Sequence, residues 1–325
     1  MAPVRFGLFA PQGWILDLVD IEDPIEQYET MSRVAQTAER LGFDSIWLFD
    51  HFHTYFKPEL ETTFECWTST AALARDTSRI RLGQMVTCNG YRNPALMAKM
   101  ASTVDVLSHG RLDFGIGAGW YEHEYRAYGY EYPPTPGDRL RRLDEALQII
   151  RAMWTAPYAS FQGTYYQISG AINEPKGVQK PHPPIWIGGS GEKVTLKLAA
   201  RYGDATNLGG HLNDMGYYTH KYDVIRAHCE AIGRDPDTLI RSANVETTLL
   251  RPGDDPELLT RRYRRDDTLE EYRTHAVVGG PQEVIDTYGR LIDAGVNYII
   301  VSDLPGLATT DILEYLAAEV LPAFR

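Results

Sequence analysis

The chain has 325 residues, of which 43% are hydrophobic, and its formal net charge is −12 at pH 7. This acidic balance disfavours nucleic acid as a partner, and no stretch reaches the roughly 20 apolar residues that a membrane-spanning helix needs. Three cysteines, Cys66, Cys88 and Cys229, have no paired spacing, and the first residues lack the basic and apolar regions of a signal peptide, so we expect a cytoplasmic protein without a membrane partner.

Apolar runs that alternate with helical patterns predict repeated strand and helix units from Val4 to Val320. The predicted strands are Val4–Phe9, Ser45–Phe49, Ile80–Thr87, Leu112–Ile116, Ile185–Gly188, Ala205–Leu208, Ser242–Leu249 and Tyr298–Val301. Most of these runs are continuously apolar, which is typical of parallel strands covered on both faces. We therefore predict an α/β protein, a (β/α)8 TIM barrel that forms one domain over residues 1–325.

Helix signals fit the same architecture. The first helix is predicted to begin at Asp23-Pro24 and to end before Gly42, because these are favoured capping residues. Between the fourth helix and the fifth strand, residues 158–184 form an insertion rich in glycine, proline and aromatic residues. We interpret it as a hairpin followed by an extended loop, Lys176 to Pro184, that covers the barrel mouth.

The active site of a TIM barrel lies at the carboxyl ends of its strands, so the segment after the second strand is the first candidate. There, His51 could exchange a proton near neutral pH, and Asp50 could orient it or hold a polar ligand. A metal site is the alternative, with His51 and His53 as ligands and with His211 and Asp303 completing the set. A solvated loop with incidental imidazoles is the simplest alternative.

The segments after the third and fourth strands could accommodate a flat ligand. Small polar residues and glycines leave space there and provide backbone donors, although turn chemistry alone also explains several of them. The candidate cofactor-binding residues are Met85, Val86, Thr87, Cys88 and Asn89 after the third strand, and Gly117, Ala118, Gly119 and Trp120 after the fourth.

The segment after the fifth strand predicts a phosphate site. Gly188, Gly189, Ser190 and Gly191 precede a predicted helix from Glu192 to Tyr202, and free amides at a helix start bind phosphate. The alternative is a glycine turn in which Ser190 caps the helix. A later basic run, Arg261, Arg262, Arg264 and Arg265, is either a solvated charge run or a contact for an acidic cofactor tail.

Several stretches together carry a resemblance to a known family. They are Asp50-His51-Phe52, Tyr91 to Ala95, Ser108 to Arg111, Gly115 to Trp120, Pro183 to Gly189, and Gly203-Asp204. In these stretches the chain resembles the bacterial luciferase-like monooxygenase superfamily, most closely its branch that uses the deazaflavin coenzyme F420. The likeness extends over nearly the whole chain.

The resemblance implies a coenzyme F420-dependent oxidoreductase that transfers hydride between the deazaflavin and a small organic substrate, and it implies a homodimer. It places the ring across the barrel mouth, the phosphate at Gly189, Ser190 and Gly191, and a non-proline cis peptide within residues 84–87. Asp50 and His51 match family residues that contact the ring and transfer a proton. Trp120 replaces a catalytic glutamate of the sugar-phosphate dehydrogenases, which argues against glucose-6-phosphate as the substrate.

Three alternatives remain at this point. FMN is also a phosphate with a planar tricycle, so the same motifs fit an FMN-dependent luciferase-like monooxygenase. A metal-dependent barrel hydrolase would use the histidines after the second strand. A non-catalytic cofactor carrier would bind the ring without turnover.

Overall fold

Eight parallel strands close into a barrel in the computed structural model, which describes residues 4–55 and 57–325. In chain order, the strands are β1 (Arg5–Phe9), β2 (Ser45–Leu48), β3 (Arg81–Gln84), β4 (Thr87–Cys88), β5 (Leu112–Gly117), β6 (Ala159–Gln162), β7 (Gln167–Ala171), β8 (Ile185–Gly188), β9 (Ala205–Gly209), β10 (Ile240–Leu249), β11 (Ala276–Gly279) and β12 (Tyr298–Ser302). The barrel order is β1-β2-β3-β5-β8-β9-β10-β12, and β12 pairs again with β1 to close the ring. The predicted (β/α)8 barrel is confirmed.

Helices connect the strands on the outside of the barrel. They are α1 (Pro24–Leu41), α2 (Cys66–Asp76), α3 (Pro94–Leu107), α4 (Glu122–Ala127), α5 (Pro136–Thr155), α6 (Thr195–Tyr202), α7 (Met215–Glu230), α8 (Pro256–Arg264), α9 (Leu269–Tyr272), α10 (Pro281–Asp293) and α11 (Asp311–Glu319). The predicted limits of α1 are confirmed, since the Asp23 side chain accepts a hydrogen bond from Ile25 N and Gly42 caps the other end with φ 83°. None of the helices in these ranges is long and apolar enough to cross a bilayer.

Large side chains fill the inside of the barrel, so the site must lie at its ends. Phe9, Trp47, Met85, Trp186 and Tyr298 belong to this interior cluster. The Trp47 ring fits because β3 carries a glycine beside it: a Cβ at residue 83 would lie 2.2 Å from Trp47 Cζ3. A packed interior of this kind leaves the strand ends and their loops to carry the chemistry.

Two strands differ from the prediction. The predicted run Ile80–Thr87 is divided into β3 and β4, and the peptide between Met85 and Val86 is cis, which confirms the cis bond predicted within residues 84–87. Strand β11 was not predicted. It pairs with the last residues of β10, beyond the part of β10 that pairs with β12.

The insertion at residues 158–184 has two parts that lie at opposite ends of the barrel. Its hairpin, β6 and β7, is confirmed, and Tyr166 Oη at its tip lies 3.3 Å from Asn89 Nδ2 near the barrel mouth. The extended loop instead runs past the amino ends of the strands, where Gln179 Nε2 donates to Asp105 Oδ1 and to the carbonyl of Leu112, the first residue of β5.

The prediction that Lys176 to Pro184 covers the barrel mouth is therefore wrong. Lys176 Nζ donates to the carbonyl oxygens of Met153 and Ala156 at the end of α5, which ties the loop to the closed end of the barrel. The length of the loop indicated an unusual connection, but it did not indicate which end of the barrel the loop covers.

Candidate active site

The carboxyl ends of β3, β5 and β8 surround a groove of about 370 Å³. Its lining consists of Met85, Val86, Gly117, Ala118, Gly119, Trp120, Pro136, Arg139, Leu140, Gly188, Gly189, Thr195, Asn207 and Asn244. Eight of these were predicted from the sequence, namely Met85, Val86, Gly117, Ala118, Gly119, Trp120, Gly188 and Gly189. The others come from the start of α5, the start of α6 and the ends of β9 and β10.

The floor of the groove is flat because the residues beside Val86 lack side chains. A Cβ at Gly117 would lie 2.7 Å from Val86 Cγ2, and a Cβ at Gly188 would lie 2.9 Å from both Val86 methyl carbons. Larger residues at either glycine would push Val86 into the groove. Backbone and small side chains therefore form a surface on which a planar ring could rest.

One end of the groove has the character of an anion site. Gly189 adopts φ 118°, and Thr195, at the first position of α6, contributes a buried side chain. Within the described residues, the amides of Ser190 and Gly191 have no hydrogen-bond acceptor. Free amides in a glycine-rich turn that leads into a helix can bind phosphate oxygens.

Ser190 does not cap the helix, which removes the alternative given above. Helix α6 begins at Thr195, later than the predicted Glu192, and its N-cap Val194 makes no side-chain capping bond. Ser190 and Gly191 border the groove next to Gly189 but are not part of its lining, so their contact with a phosphate remains a prediction.

Two asparagines form a polar part of the wall. Asn207 Nδ2 donates to Ser242 Oγ at 2.9 Å and to Asn244 Oδ1 at 3.0 Å. This fixes the Asn244 amide so that its nitrogen is a donor not used by other described residues. The sequence signal for this pair was an asparagine in each of two neighbouring predicted strands.

Beside the groove, His51 forms a close pair with a glutamate that sequence reasoning missed. Glu124 on α4 has no exposed surface, and its Oε2 lies 2.7 Å from His51 Nδ1. The same oxygen accepts from Tyr91 Oη at 2.6 Å, and Oε1 accepts from Phe52 N at 2.6 Å.

These contacts define the protonation of the pair. Burial raises the pKa of Glu124, but hydrogen bonds from His51, Tyr91 and the Phe52 amide outweigh it, so the pKa lies below its usual value. An ionised carboxylate only accepts hydrogen bonds, so His51 must carry its proton on Nδ1 when neutral. Nε2 then has a free lone pair, and it has no partner among the described residues.

Aromatic rings hold His51 between two cavities. Trp14 stacks on the imidazole with ring centroids 4.3 Å apart and an interplanar angle of 3°, and Trp120 meets it edge-on at 5.8 Å. Trp120 lines the groove, whereas Trp14 lines a second cavity of about 230 Å³ at the other side of the barrel mouth. We call this second space the substrate-side cavity.

The substrate-side cavity meets the groove at Asn244 and combines aromatic with charged walls. Its lining consists of Phe9, Trp14, Ile15, Phe49, Tyr55, Gly209, Gly210, Asn244, Glu246, Arg265, His275, Ser302 and Asp303. Burial raises the pKa of Asp303 and of Glu246; the nearby Glu246 raises that of Asp303 further, while His275 and Arg265 oppose the increase at Glu246. This side of the mouth therefore brings acidic and basic side chains together in one lining.

Asp50 lies behind the wall, which corrects its predicted role as a catalytic and ring-contacting residue. Its side chain has no exposed surface; Oδ2 accepts from Cys88 N at 2.8 Å, and both oxygens pair with Arg92 at 2.7 and 2.9 Å. With its acceptor sites taken, Asp50 positions the segment between β3 and α3 that forms the floor.

The cofactor contacts predicted for the side chains of Thr87 and Cys88 are also corrected, whereas that of Asn89 stays a prediction. Thr87 Oγ1 accepts from Trp67 Nε1 at 3.1 Å on the helix side of the sheet. Cys88 Sγ lies 3.0 Å from Tyr125 Oη, and burial raises the pKa of this thiol to about 12. Asn89 faces a different cavity, which is described below. Alternation along the chain explains Thr87, because Val86 before it faces the groove and the next side chain therefore faces the helices.

The histidines of the metal alternative point to different partners. His53 Nε2 lies 3.0 Å from His123 Nδ1, whereas His51 Nδ1 is bound to Glu124. Across residues 4–55 and 57–325, no three His, Cys, Asp or Glu side chains are grouped as a metal site would require. His211 packs against Tyr217, and Asp303 lines the substrate-side cavity.

Comparison with known proteins gives matches over most of the chain. The family model described as luciferase-like monooxygenase matches residues 4–265. An F420-dependent glucose-6-phosphate dehydrogenase of Amycolatopsis mediterranei is 27% identical over 323 residues, which cover 90% of this chain and 93% of the relative.

Solved structures show the same fold. An F420-dependent secondary alcohol dehydrogenase in complex with an F420-acetone adduct matches with a TM-score of 0.83 and 21% identity over 99% of both chains. A riboflavin lyase with modified FMN matches with a TM-score of 0.79 and 18% identity over 98% of this chain and 91% of that chain.

Proposed function

This chain belongs to the luciferase-like monooxygenase family and is an oxidoreductase, and we propose that it uses coenzyme F420 to transfer hydride to or from a small organic substrate. The observation that carries the proposal is the groove itself, a flat floor that ends at free backbone amides and opens beside a carboxylate-held histidine. The named relatives that use F420 support the choice of cofactor.

The described residues fit a planar ring with a phosphate. Val86, flanked by Gly117 and Gly188, would support the ring, and Gly189, Ser190 and Thr195 would hold the phosphate. When bound, a deazaflavin supplies hydride transfer and reacts poorly with oxygen, because carbon replaces the flavin N5.

The protein's own contribution is a proton site with a fixed orientation. When an alcohol is oxidised, His51 Nε2 accepts the hydroxyl proton, and in the reverse direction it returns that proton to the carbonyl oxygen. Glu124 keeps the imidazole in the tautomer that this role needs and stabilises the cation that forms. Trp14 and Trp120 fix the ring orientation and restrict water around Nε2.

The phosphate site can be tested by fluorescence titration of coenzyme F420. Ser190→Asp places a negative charge beside the proposed phosphate and should weaken binding about tenfold or more. Ser160→Asp on β6 is the matched control, because it adds the same charge on an exposed strand of the hairpin and should leave the affinity unchanged. Equal affinities for both variants and the unmodified protein would exclude the phosphate site at this loop.

FMN remains the second candidate, because a flavin has the same tricycle and phosphate and one structural relative contains modified FMN. An FMN-loaded protein supplied with a reduced nicotinamide as electron donor would consume oxygen, whereas a deazaflavin-loaded protein would not, which distinguishes the two functions. A cytoplasmic homodimer also stays a proposal, and sedimentation of the purified protein tests its dimeric state.

A further inference from the structure

We propose that a basic cavity next to the groove binds the carboxylates of an oligoglutamate tail on the cofactor. This inference rests on the proposed function. The cavity has a volume of about 230 Å³ and shares Ala118 and Arg139 with the groove. We call it the arginine cavity, and its lining consists of Asn89, Gly90, Tyr91, Arg92, Asn93, Ala118, Tyr125, Tyr130, Glu131, Pro133, Arg139, Arg142 and Tyr166.

The three arginines of this cavity differ in how fully their charges are balanced. Arg92 is neutralised by Asp50 and by Glu65. Arg139 lies 4.7 Å over the ring of Tyr132 and forms no ion pair with a described residue. It is therefore an available cation at the junction between the two spaces.

The charge of Arg142 is only partly neutralised by other side chains. Its only ion pair among the described residues is with Glu131, at 2.9 Å, and the Glu131 side chain is 69% exposed. Arg142 Nε is buried without a hydrogen-bond partner in the same part of the chain. An incoming carboxylate could satisfy that nitrogen and replace the exposed glutamate, because a guanidinium binds carboxylates through paired N–H groups.

The arginine run considered from the sequence is a poorer tail site. Arg262 pairs with Asp20 at 2.8 Å, Arg264 pairs with Glu257, and Arg265 lies 5.2 Å over the ring of Tyr55. Arg262 and Arg265 line a space beside segments that follow β1, β2 and β12, across the barrel from the phosphate loop after β8.

The residues that line the substrate-side cavity and the arginine cavity also favour the arginine cavity as the tail site. Glu246 and Asp303 line the substrate-side cavity beside Arg265 and His275, so the cations of that cavity already face acidic groups. On the arginine side, Asn89 and Tyr166 add neutral hydrogen-bonding groups at the cavity wall. From a phosphate at Gly189, a chain of glutamates could therefore reach Arg139 and then Arg142 through two linings that share residues, whereas the cations of the substrate-side cavity are accompanied by two acidic residues.

The experiment compares coenzyme F420 carrying several glutamates with the same deazaflavin phosphate lacking glutamates, by fluorescence titration at low and high salt. The unmodified protein should bind the tailed form roughly three- to tenfold more tightly at low salt, and less so at high salt. Arg139→Gln and Arg142→Gln should each reduce this ratio, whereas Glu131→Gln should increase it by freeing Arg142. Arg141→Gln is the control, because Arg141 lies on the same helix but is 62% exposed and pairs with Asp138.

Each outcome separates the two proposals. Equal affinity for tailed and tailless cofactor in the unmodified protein would overturn the tail site and leave the proposed function intact. A ratio that the Arg139 and Arg142 variants do not change would also overturn it. If neither form binds, the proposed function itself fails. Circular dichroism of each variant verifies that the fold is retained.

Discussion

Glu124→Gln is the substitution that most directly tests how His51 is prepared for proton transfer. The carboxylate accepts three hydrogen bonds of 2.6 to 2.7 Å, from Phe52 N, Tyr91 Oη and His51 Nδ1, and it has no exposed surface. A glutamine has the same shape but only one acceptor oxygen. Because Phe52 N can only donate, that oxygen must face it, and the new NH2 group must face His51 and Tyr91.

The substitution should therefore reverse the His51 tautomer. An NH2 group that donates to Nδ1 forces the imidazole proton onto Nε2, which loses its lone pair. Hydrogen bonds to charged groups are worth about 1.5–3 kcal/mol each. All three become weaker neutral hydrogen bonds and two of them reverse direction, so we expect a loss of about 2–3 kcal/mol in the free energy of unfolding. Turnover should fall by about 10²- to 10⁴-fold, with cofactor affinity retained.

Nitrogen-15 NMR of labelled histidine reads the tautomer without a known substrate, and urea unfolding measures the stability. Glu122→Gln is the matched control on the same helix, because Glu122 is 48% exposed and pairs only with Arg126 among the described residues. That control should change stability by less than about 0.5 kcal/mol. A Glu124→Gln protein with an unchanged His51 tautomer and unchanged stability would refute the reasoning.

Three further predictions concern residues around the site. His51→Ala should lower turnover by roughly a hundredfold or more while cofactor titrations stay normal; lost binding with normal turnover per bound cofactor would instead indicate a structural role. Asp50→Asn removes one of the two carboxylates that neutralise the buried Arg92 and leaves Glu65 as its partner, so urea unfolding should show a loss of about 1–3 kcal/mol, and unchanged stability would contradict this. Burial raises the pKa of Asp17 from 3.8 to about 6, so the folded protein holds an extra proton and loses stability as pH rises through this interval. Asp17→Asn should flatten that pH dependence in urea unfolding, and an unchanged slope would contradict the assignment.

The fold and the groove were largely predictable because they depend on local patterns. Continuous apolar runs indicated buried parallel strands, and glycines at the ends of the fourth and fifth runs, such as Gly117 and Gly188, marked where backbones approach a ligand. The residues that were missed depend on tertiary contacts. Arg139 and Thr195 lie at helix starts that no strand-end pattern selects, yet both line the groove.

Glu124 is the clearest example of a site residue that the sequence alone did not reveal. Its partner His51 is 73 residues away in the chain, and nothing in Tyr121-Glu122-His123-Glu124 indicates which glutamate turns inward. The sequence did contain one signal that a glutamate here is buried. Several aromatic residues lie beside it, and a segment rich in aromatic residues tends to pack against the rest of the protein. The prediction for Asp50 was wrong because it assigned a ligand contact to a residue that is buried. An acidic residue at a strand end can bind an arginine as well as a ligand.

The central claim is that the groove binds a deazaflavin, and a parallel equilibrium titration of the purified protein with coenzyme F420 and with FMN tests it most directly. We predict saturable binding of one F420 per chain, about tenfold or more tighter than FMN, a difference of ~1.4 kcal/mol. Tighter binding of FMN than of coenzyme F420 would contradict the claim and assign the chain to the flavin-dependent members of its family.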